Sequence, residues 1–233
     1  MKLVIFDIDG TLLNSTDVDA ECYVRSITDV FGIAGMSDDW SEYTSATDRA
    51  IFDDVVQRNL GRPPTDEERA KHIERLIELF SVAVTVDPAR FAEIPGARDI
   101  IAGMRSRDGW VVAIATGCWL ESAEFKLRAG RIDHSGITMV TSTDEGMRDR
   151  LVGRCIETAR SRAGVRAFDA IVSIGDGRWD VEVASRLGIG FIGVGSDPRS
   201  IFRREERCTV IDRYPDVDSF VQLLETAAVP GRE

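Results

Sequence analysis

From Ile94 onward the chain alternates short apolar runs with amphipathic stretches, and this alternation restricts the fold more than any other feature. The apolar runs cover 110–115, 137–141, 170–174, 190–194 and 209–211. Between them, apolar residues recur at helical spacing. Ile100, Ile101 and Met104 follow Pro95-Gly96, a helix over 119–127 precedes Gly130, and Met147, Leu151, Val152, Cys155, Ile156 and Ala159 precede Gly164. Val181, Val183, Ala184 and Leu187 follow, and a last helix spans 217–227. Strands that alternate with helices predict a parallel sheet covered on both faces. One more strand stands at the start, where Leu3 to Phe6 form a continuous apolar run of the kind buried on both sides.

The stretch between that first strand and the alternating region is helical. One helix is expected over 17–31, with Val18, Cys22 and Ile27 on one side and Gly32 as its stop. A second is expected over 47–60, with Ile51, Phe52, Val55, Val56 and Leu60 on one stripe and Gly61 as its stop. Pro63-Pro64 breaks the chain, and Thr65-Asp66-Glu67-Glu68 has the capping-box pattern. The helix it starts carries Ile73, Leu76, Ile77 and Phe80 on one face. Ser142-Thr143-Asp144-Glu145 has the same capping-box pattern ahead of a later helix. Helices without intervening strands predict a separate helical module at 15–92, set into an α/β core made of 1–14 and 93–233.

Composition narrows the function classes. A formal net charge of −11 without a long basic run gives no electrostatic footprint for a nucleic-acid backbone. No apolar run approaches membrane-spanning length, and the opening run is too short for a secretion signal. Cys22, Cys118, Cys155 and Cys208 are far apart, without the spacing of a zinc site or a disulfide scaffold. A cytoplasmic protein with reduced thiols is expected.

The polar residues at the strand ends carry the chemistry. Asp7 and Asp9 follow the first strand, Thr116-Gly117 follows 110–115, and Gly175-Asp176-Gly177-Arg178-Trp179-Asp180 follows 170–174. In a parallel sheet these ends share one edge, where open α/β folds bind ligands. Four carboxylates there repel one another unless a cation joins them, and Mg²⁺ is the hard, oxygen-preferring ion for such a set. Gly10 and Thr11, at the strand's end, leave open whether Asp9 points the same way as Asp7.

Asp-x-Asp-Gly-Thr at 7–11, Thr116 after an apolar strand, and Gly-Asp-Gly-x-x-Asp at 175–180 resemble, in that order, three motifs of the phosphatase-type haloacid dehalogenase superfamily. The resemblance implies a Rossmann-like, doubly wound parallel sheet with residues 15–92 as a small inserted α-helical cap. It implies a Mg²⁺-dependent phosphatase, laid out like phosphoglycolate phosphatases, that hydrolyses a small phosphorylated metabolite through an aspartyl-phosphate. Asp7 would be the nucleophile and Asp9 the acid and base. Thr116, Gly117 and a cation would hold the phosphoryl group. Asp7, the backbone carbonyl of Asp9, Asp176 and Asp180 would hold the metal. The family's third motif is a Lys or Arg beside the nucleophile; Arg148 fits by position, Lys126 is its competitor, and the Lys-Pro pair of many relatives is absent. A carboxylate at position 9 speaks, on the family's pattern, against carbon–halogen chemistry. A phosphomutase of the same superfamily and a non-catalytic binding protein are the alternatives.

Around this frame, Tyr43-Thr44-Ser45-Ala46-Thr47-Asp48 is expected as a cap loop facing the site, with Thr47 either binding substrate or only capping its helix. Trp119 is expected in the pocket or in the core, and Cys118, at a helix N-terminus, to carry a lowered pKa. His72 and His134 read as surface or capping residues. Monomer and homodimer are both open.

Overall fold

Six parallel strands form one sheet in the order β3-β2-β1-β4-β5-β6. They are β1 (Lys2–Phe6), β2 (Trp110–Ala115), β3 (Thr138–Val140), β4 (Ile171–Gly175), β5 (Gly190–Val194) and β6 (Thr209–Ile211). The computed structural model describes residues 1–195 and 208–231; the parts of the expected core at 196–207 and 232–233 lie outside them. The helices are α1 (Thr16–Phe31), α2 (Asp48–Leu60), α3 (Asp66–Val86), α4 (Ala97–Arg105), α5 (Leu120–Ala129), α6 (Arg148–Ala163), α7 (Arg178–Leu187) and α8 (Val217–Thr226).

Strand alternation decides which helices lie on which face. Val4 and Phe6 of β1 point into one layer with Ile100, Ile101 and Met104 of α4 and Phe220 and Leu224 of α8. Leu3 and Ile5 point into the opposite layer with Leu151 and Cys155 of α6 and Val183 and Ala184 of α7. Both faces are therefore covered, as continuous apolar strands require. This is the α/β Rossmann-like sheet expected from the sequence.

Between β1 and β2 the chain builds a third apolar cluster. Val18, Tyr23 and Ile27 of α1, Phe52 and Val56 of α2, and Leu76 and Phe80 of α3 are buried in it together with Trp119. Thr65 caps α3 in a full capping box with Glu68. His72 departs from the surface position expected of it. It is fully buried, stacked on Phe52 with centroids 4.9 Å apart and hydrogen-bonded to Ser26 at 2.9 Å. Burial pushes its pKa down to about 3, so it packs as a neutral aromatic.

The second expected capping box does not form. The Asp144 carboxylate accepts from the Thr141 backbone N–H at 3.1 Å, and the Asp144 N–H donates to the Thr141 carbonyl at 3.0 Å. This turn moves the start of α6 to Arg148.

The register sets up the site. Phe6 pairs with Ile114 on one side and Ile174 on the other. The residues just beyond these three therefore emerge side by side at the C-terminal edge of the sheet.

Candidate active site

Asp7 continues β1 by one residue, its N–H donating to the Ile174 carbonyl at 3.0 Å. The chain then turns tightly, with the Gly10 N–H on the Leu13 carbonyl at 2.8 Å. Gly10 adopts φ 68°, and a Cβ there would overlap the Asp176 carboxylate. Glycine at this position thus serves the backbone turn and the approach of Asp176 together.

Asp7, Asp176 and Asp180 converge from opposite parts of the sequence, with carboxylate oxygens within 4.8 Å of one another. Arg148, at the first turn of α6, reaches into them. One guanidinium nitrogen, Nη2, donates to Asp7 Oδ2 at 2.7 Å and to Asp180 Oδ1 at 2.8 Å. The other carboxylate oxygen of Asp180 accepts from the Gly177 N–H at 3.1 Å, closing the start of α7. Arg148, Asp7 and Asp180 are all buried. Burial opposes the charge on Arg148, but Asp7 and Asp180 outweigh it and raise its pKa. Burial pushes Asp7 up to about 6 against the pull of Arg148, with Asp180 and Asp9 adding to the rise. Burial, then Asp180 and Asp7, hold Asp176 well above the usual carboxylate range.

Asp176 makes no ion pair among the described residues. Three convergent carboxylates, one of them without a cation, offer only hard oxygen donors and more negative charge than Arg148 balances. This donor set fits a divalent cation of the Mg²⁺ type.

Asp9 is turned aside. Its carboxylate lies with Asp19 and Cys118 and not with the other three acids. Lys126, fully buried, donates to Asp9 Oδ2 at 2.7 Å and to Asp19. Burial works against a charged Asp9, but Lys126, Cys118 and Ser15 outweigh it and its pKa falls. Of the two candidate cations, Arg148 makes the contact with Asp7, and Lys126 is paired with Asp9.

Thr116 is buried, with its N–H on the Val140 carbonyl at 3.1 Å, and its hydroxyl accepts from the Cys118 N–H at 3.3 Å. Gly117 packs against Arg148 and the Ala46 carbonyl, and its own carbonyl accepts from the Asp48 N–H at 2.7 Å. The Asp48 carboxylate in turn accepts from the Trp119 N–H at 2.8 Å. One backbone bond and one to the Asp48 side chain therefore fasten the start of α2 to the loop after β2. Thr47 borders the site, but its hydroxyl is engaged: it caps α2 through the Ala50 N–H and donates to the Gly146 carbonyl. Cys118 does not have the lowered pKa expected of it. Burial, then the Asp9 charge, raises it well above a free thiol. Trp119 packs in the helical cluster as one of its two expected placements.

Asp7, Asp9, Thr116, Gly117, Arg148 and Asp176 line an inner recess of about 90 Å³. It adjoins an outer chamber of about 740 Å³ walled by Trp40, Tyr43, Ser45, Arg178 and Trp179. The segment 43–48 thus borders the site as expected. Asp19, Trp40 and Trp179 are site residues that sequence reasoning missed. Asp19 has the position of an ordinary first-turn acid of an amphipathic helix, and only the tertiary fold turns it inward.

The model of the haloacid dehalogenase-like hydrolase family matches residues 1–188. No curated protein matches the chain. Among solved structures, a hydrolase from Pseudomonas syringae is 22% identical with a TM-score of 0.67, covering 98% of this chain and 100% of that one. A HAD hydrolase of family IA, variant 3, from Entamoeba histolytica is 16% identical with a TM-score of 0.66, over 97% of this chain and 100% of that one. CbbY from Rhodobacter sphaeroides, in complex with phosphate, is 18% identical with a TM-score of 0.60, over 91% of this chain and 93% of that one. At these identities the likeness is one of fold.

Proposed function

The chain belongs to the haloacid dehalogenase-like hydrolase family, and from that premise we propose that it is a Mg²⁺-dependent phosphatase of small phosphorylated metabolites. The observation that carries the reading is the Arg148 guanidinium lying against Asp7 at 2.7 Å, in a recess that Thr116 and Asp176 also line. A cation and a hydroxyl beside a buried carboxylate form a place for a phosphoryl group next to a nucleophile. The phosphate complex of the Rhodobacter protein supports the same reading for this fold.

Asp7 attacks phosphorus in line and forms an Asp7 O–P bond as the ester P–O bond breaks. Asp9, ionised against Lys126 at rest, takes up a proton from solvent and passes it to a leaving oxygen that needs one. Water then attacks the aspartyl-phosphate, its proton passes to Asp9, and the Asp7–phosphorus bond breaks to release inorganic phosphate. Arg148 and Thr116 hold the phosphoryl oxygens while charge builds on them. Asp7, Asp176, Asp180 and the Asp9 carbonyl are the groups to hold Mg²⁺. When bound, the ion supplies positive charge against the phosphoryl oxygens.

In this reading residues 15–92 act as a cap over a core of 1–14 and 93–233. The outer chamber, walled by the insert and the core together, takes the organic part of the substrate. We place the activity in the cytoplasm, in a monomer or homodimer. Among the described residues no helix is long and apolar enough to cross a membrane.

The test is purified protein with p-nitrophenyl phosphate, with and without Mg²⁺. Release of inorganic phosphate only with the metal supports the reading. No turnover with any divalent metal overturns it. With a sugar phosphate in place of the ester, transfer of the phosphoryl group to another hydroxyl of the sugar, with no phosphate released, would mark a phosphomutase instead.

A further inference from the structure

Lys126 is a buried cation that the reaction above leaves without a task. Its side chain is fully inaccessible, and its ammonium lies 5.5 Å from the centre of the Phe80 ring. The three donors of that ammonium meet three acceptors: Asp9 Oδ2 at 2.7 Å, Asp19, and Cys118 Sγ at 3.1 Å. Cys118 Sγ itself donates to Asp9 Oδ2 at 2.9 Å, and the Ser15 hydroxyl donates to Asp9 Oδ1 at 2.5 Å.

Burying an ammonium is costly even when it is paired, and an apolar side chain of similar volume often does the packing as well or better. What the ionic arrangement adds is direction. Asp9 is held from three sides by donors on three segments: the loop before α1, the loop after β2, and α5. Its Oδ2 is filled by Lys126 and Cys118. Its Oδ1 accepts only from Ser15 among the hydrogen bonds of the described residues, which leaves acceptor capacity on that oxygen. Asp9 also borders the recess that holds Asp7.

We propose that Lys126 is a positioning residue, anchored by Asp19, that holds Asp9 so that Oδ1 receives the proton of the water attacking the aspartyl-phosphate. This rests on the phosphatase reading and adds to it a residue for the second half-reaction. In that step the water oxygen bonds to phosphorus, the Asp7–phosphorus bond breaks, and the water proton moves to Asp9. A loosened Asp9 slows this step. It leaves the first step little changed for p-nitrophenyl phosphate, whose leaving group needs no proton.

The experiment is rapid-mixing kinetics on Lys126→Met with p-nitrophenyl phosphate and Mg²⁺. The variant should show a burst of p-nitrophenolate close to one equivalent per active site. Its kcat and KM should fall together, by about 10²-fold, the usual scale of proton-transfer catalysis, with kcat/KM nearly unchanged. A purely structural role would lower kcat/KM as well and give no burst; that result, or unaltered kinetics, overturns the proposal. If Lys126→Met yields no folded protein, Asp19→Asn, which removes the anchor and keeps the ammonium, is measured in the same way. It should show the same burst and the same joint fall, and their absence is equally decisive. Wild-type protein that does not hydrolyse the ester with Mg²⁺ overturns the phosphatase reading itself, and this proposal with it.

Discussion

Arg148 and Asp7 are 141 positions apart in sequence and meet through a single bond of 2.7 Å. The same nitrogen reaches Asp180, so one guanidinium ties the first strand, the start of α6 and the start of α7 together. Replacing it leaves buried carboxylates without their cation. Arg148→Ala should lower kcat on p-nitrophenyl phosphate by about 10²–10³-fold, the scale seen when a charge-stabilising donor is removed. Without divalent metal it should also cost about 3–5 kcal/mol of stability, because one partner of a buried pair is gone. Urea unfolding with and without Mg²⁺ checks this: Mg²⁺ should recover part of the deficit in the variant.

The pH dependence of metal binding follows from Asp7. Its pKa is raised to about 6 in the folded chain, and a bound cation requires the ionised form. Protons therefore compete with metal below that value. Calorimetric titration with Mg²⁺ should give weaker binding at about pH 5 than at about pH 8, with protons released on binding. Affinity that does not change with pH would place the metal elsewhere.

Asp48 gives a stability prediction of opposite origin. Burial, then the Asp19 charge, raises its pKa well above the unfolded value of 3.8. The folded chain thus holds a proton that the unfolded chain releases, and this contribution to stability declines as pH rises above the unfolded value. Asp48→Asn keeps an oxygen for the Trp119 N–H and removes the titration. Thermal unfolding at about pH 5 and about pH 8 should show the variant gaining on the wild type at the higher pH.

Gly117 is fixed by its neighbours. An added Cβ would lie 2.6 Å from Arg148 Nη1 and 2.7 Å from the Ala46 carbonyl oxygen. The carbonyl belongs to the backbone and yields less readily than a side chain. Gly117→Ala should cost about 1–3 kcal/mol, the scale of overpacking, and should lower kcat because Arg148 is the group displaced. Unfolding and p-nitrophenyl phosphate assays on the same sample check both effects.

The parts of the fold written in local sequence were legible. The runs at 190–194 and 209–211 became β5 and β6 with those bounds; β5 is buried along its whole length, and the half-buried β6 forms an edge of the sheet. Thr65 and Glu68 made their capping box because both partners lie within one turn. The box expected at Ser142 failed because Asp144 reaches back to Thr141, a competing turn of equal range. Sequence order suggested which acids share the sheet edge, but not which way each one faces. Asp9 left the cluster because Lys126, 117 positions away, lies on its other side. His72 went inside because its neighbours in space, Ser26 and Phe52, come from two other helices, and helical spacing on α3 alone does not reveal them.

If Asp7 is the nucleophile, it is phosphorylated during turnover. Protein mixed with p-nitrophenyl phosphate and Mg²⁺, quenched in acid and mapped by mass spectrometry, tests it directly. The expected result is a phosphoryl group on the peptide that contains Asp7, and neither phosphoryl group nor turnover in Asp7→Asn. Turnover that persists in Asp7→Asn, or a phosphoryl group trapped on a different residue, would contradict it.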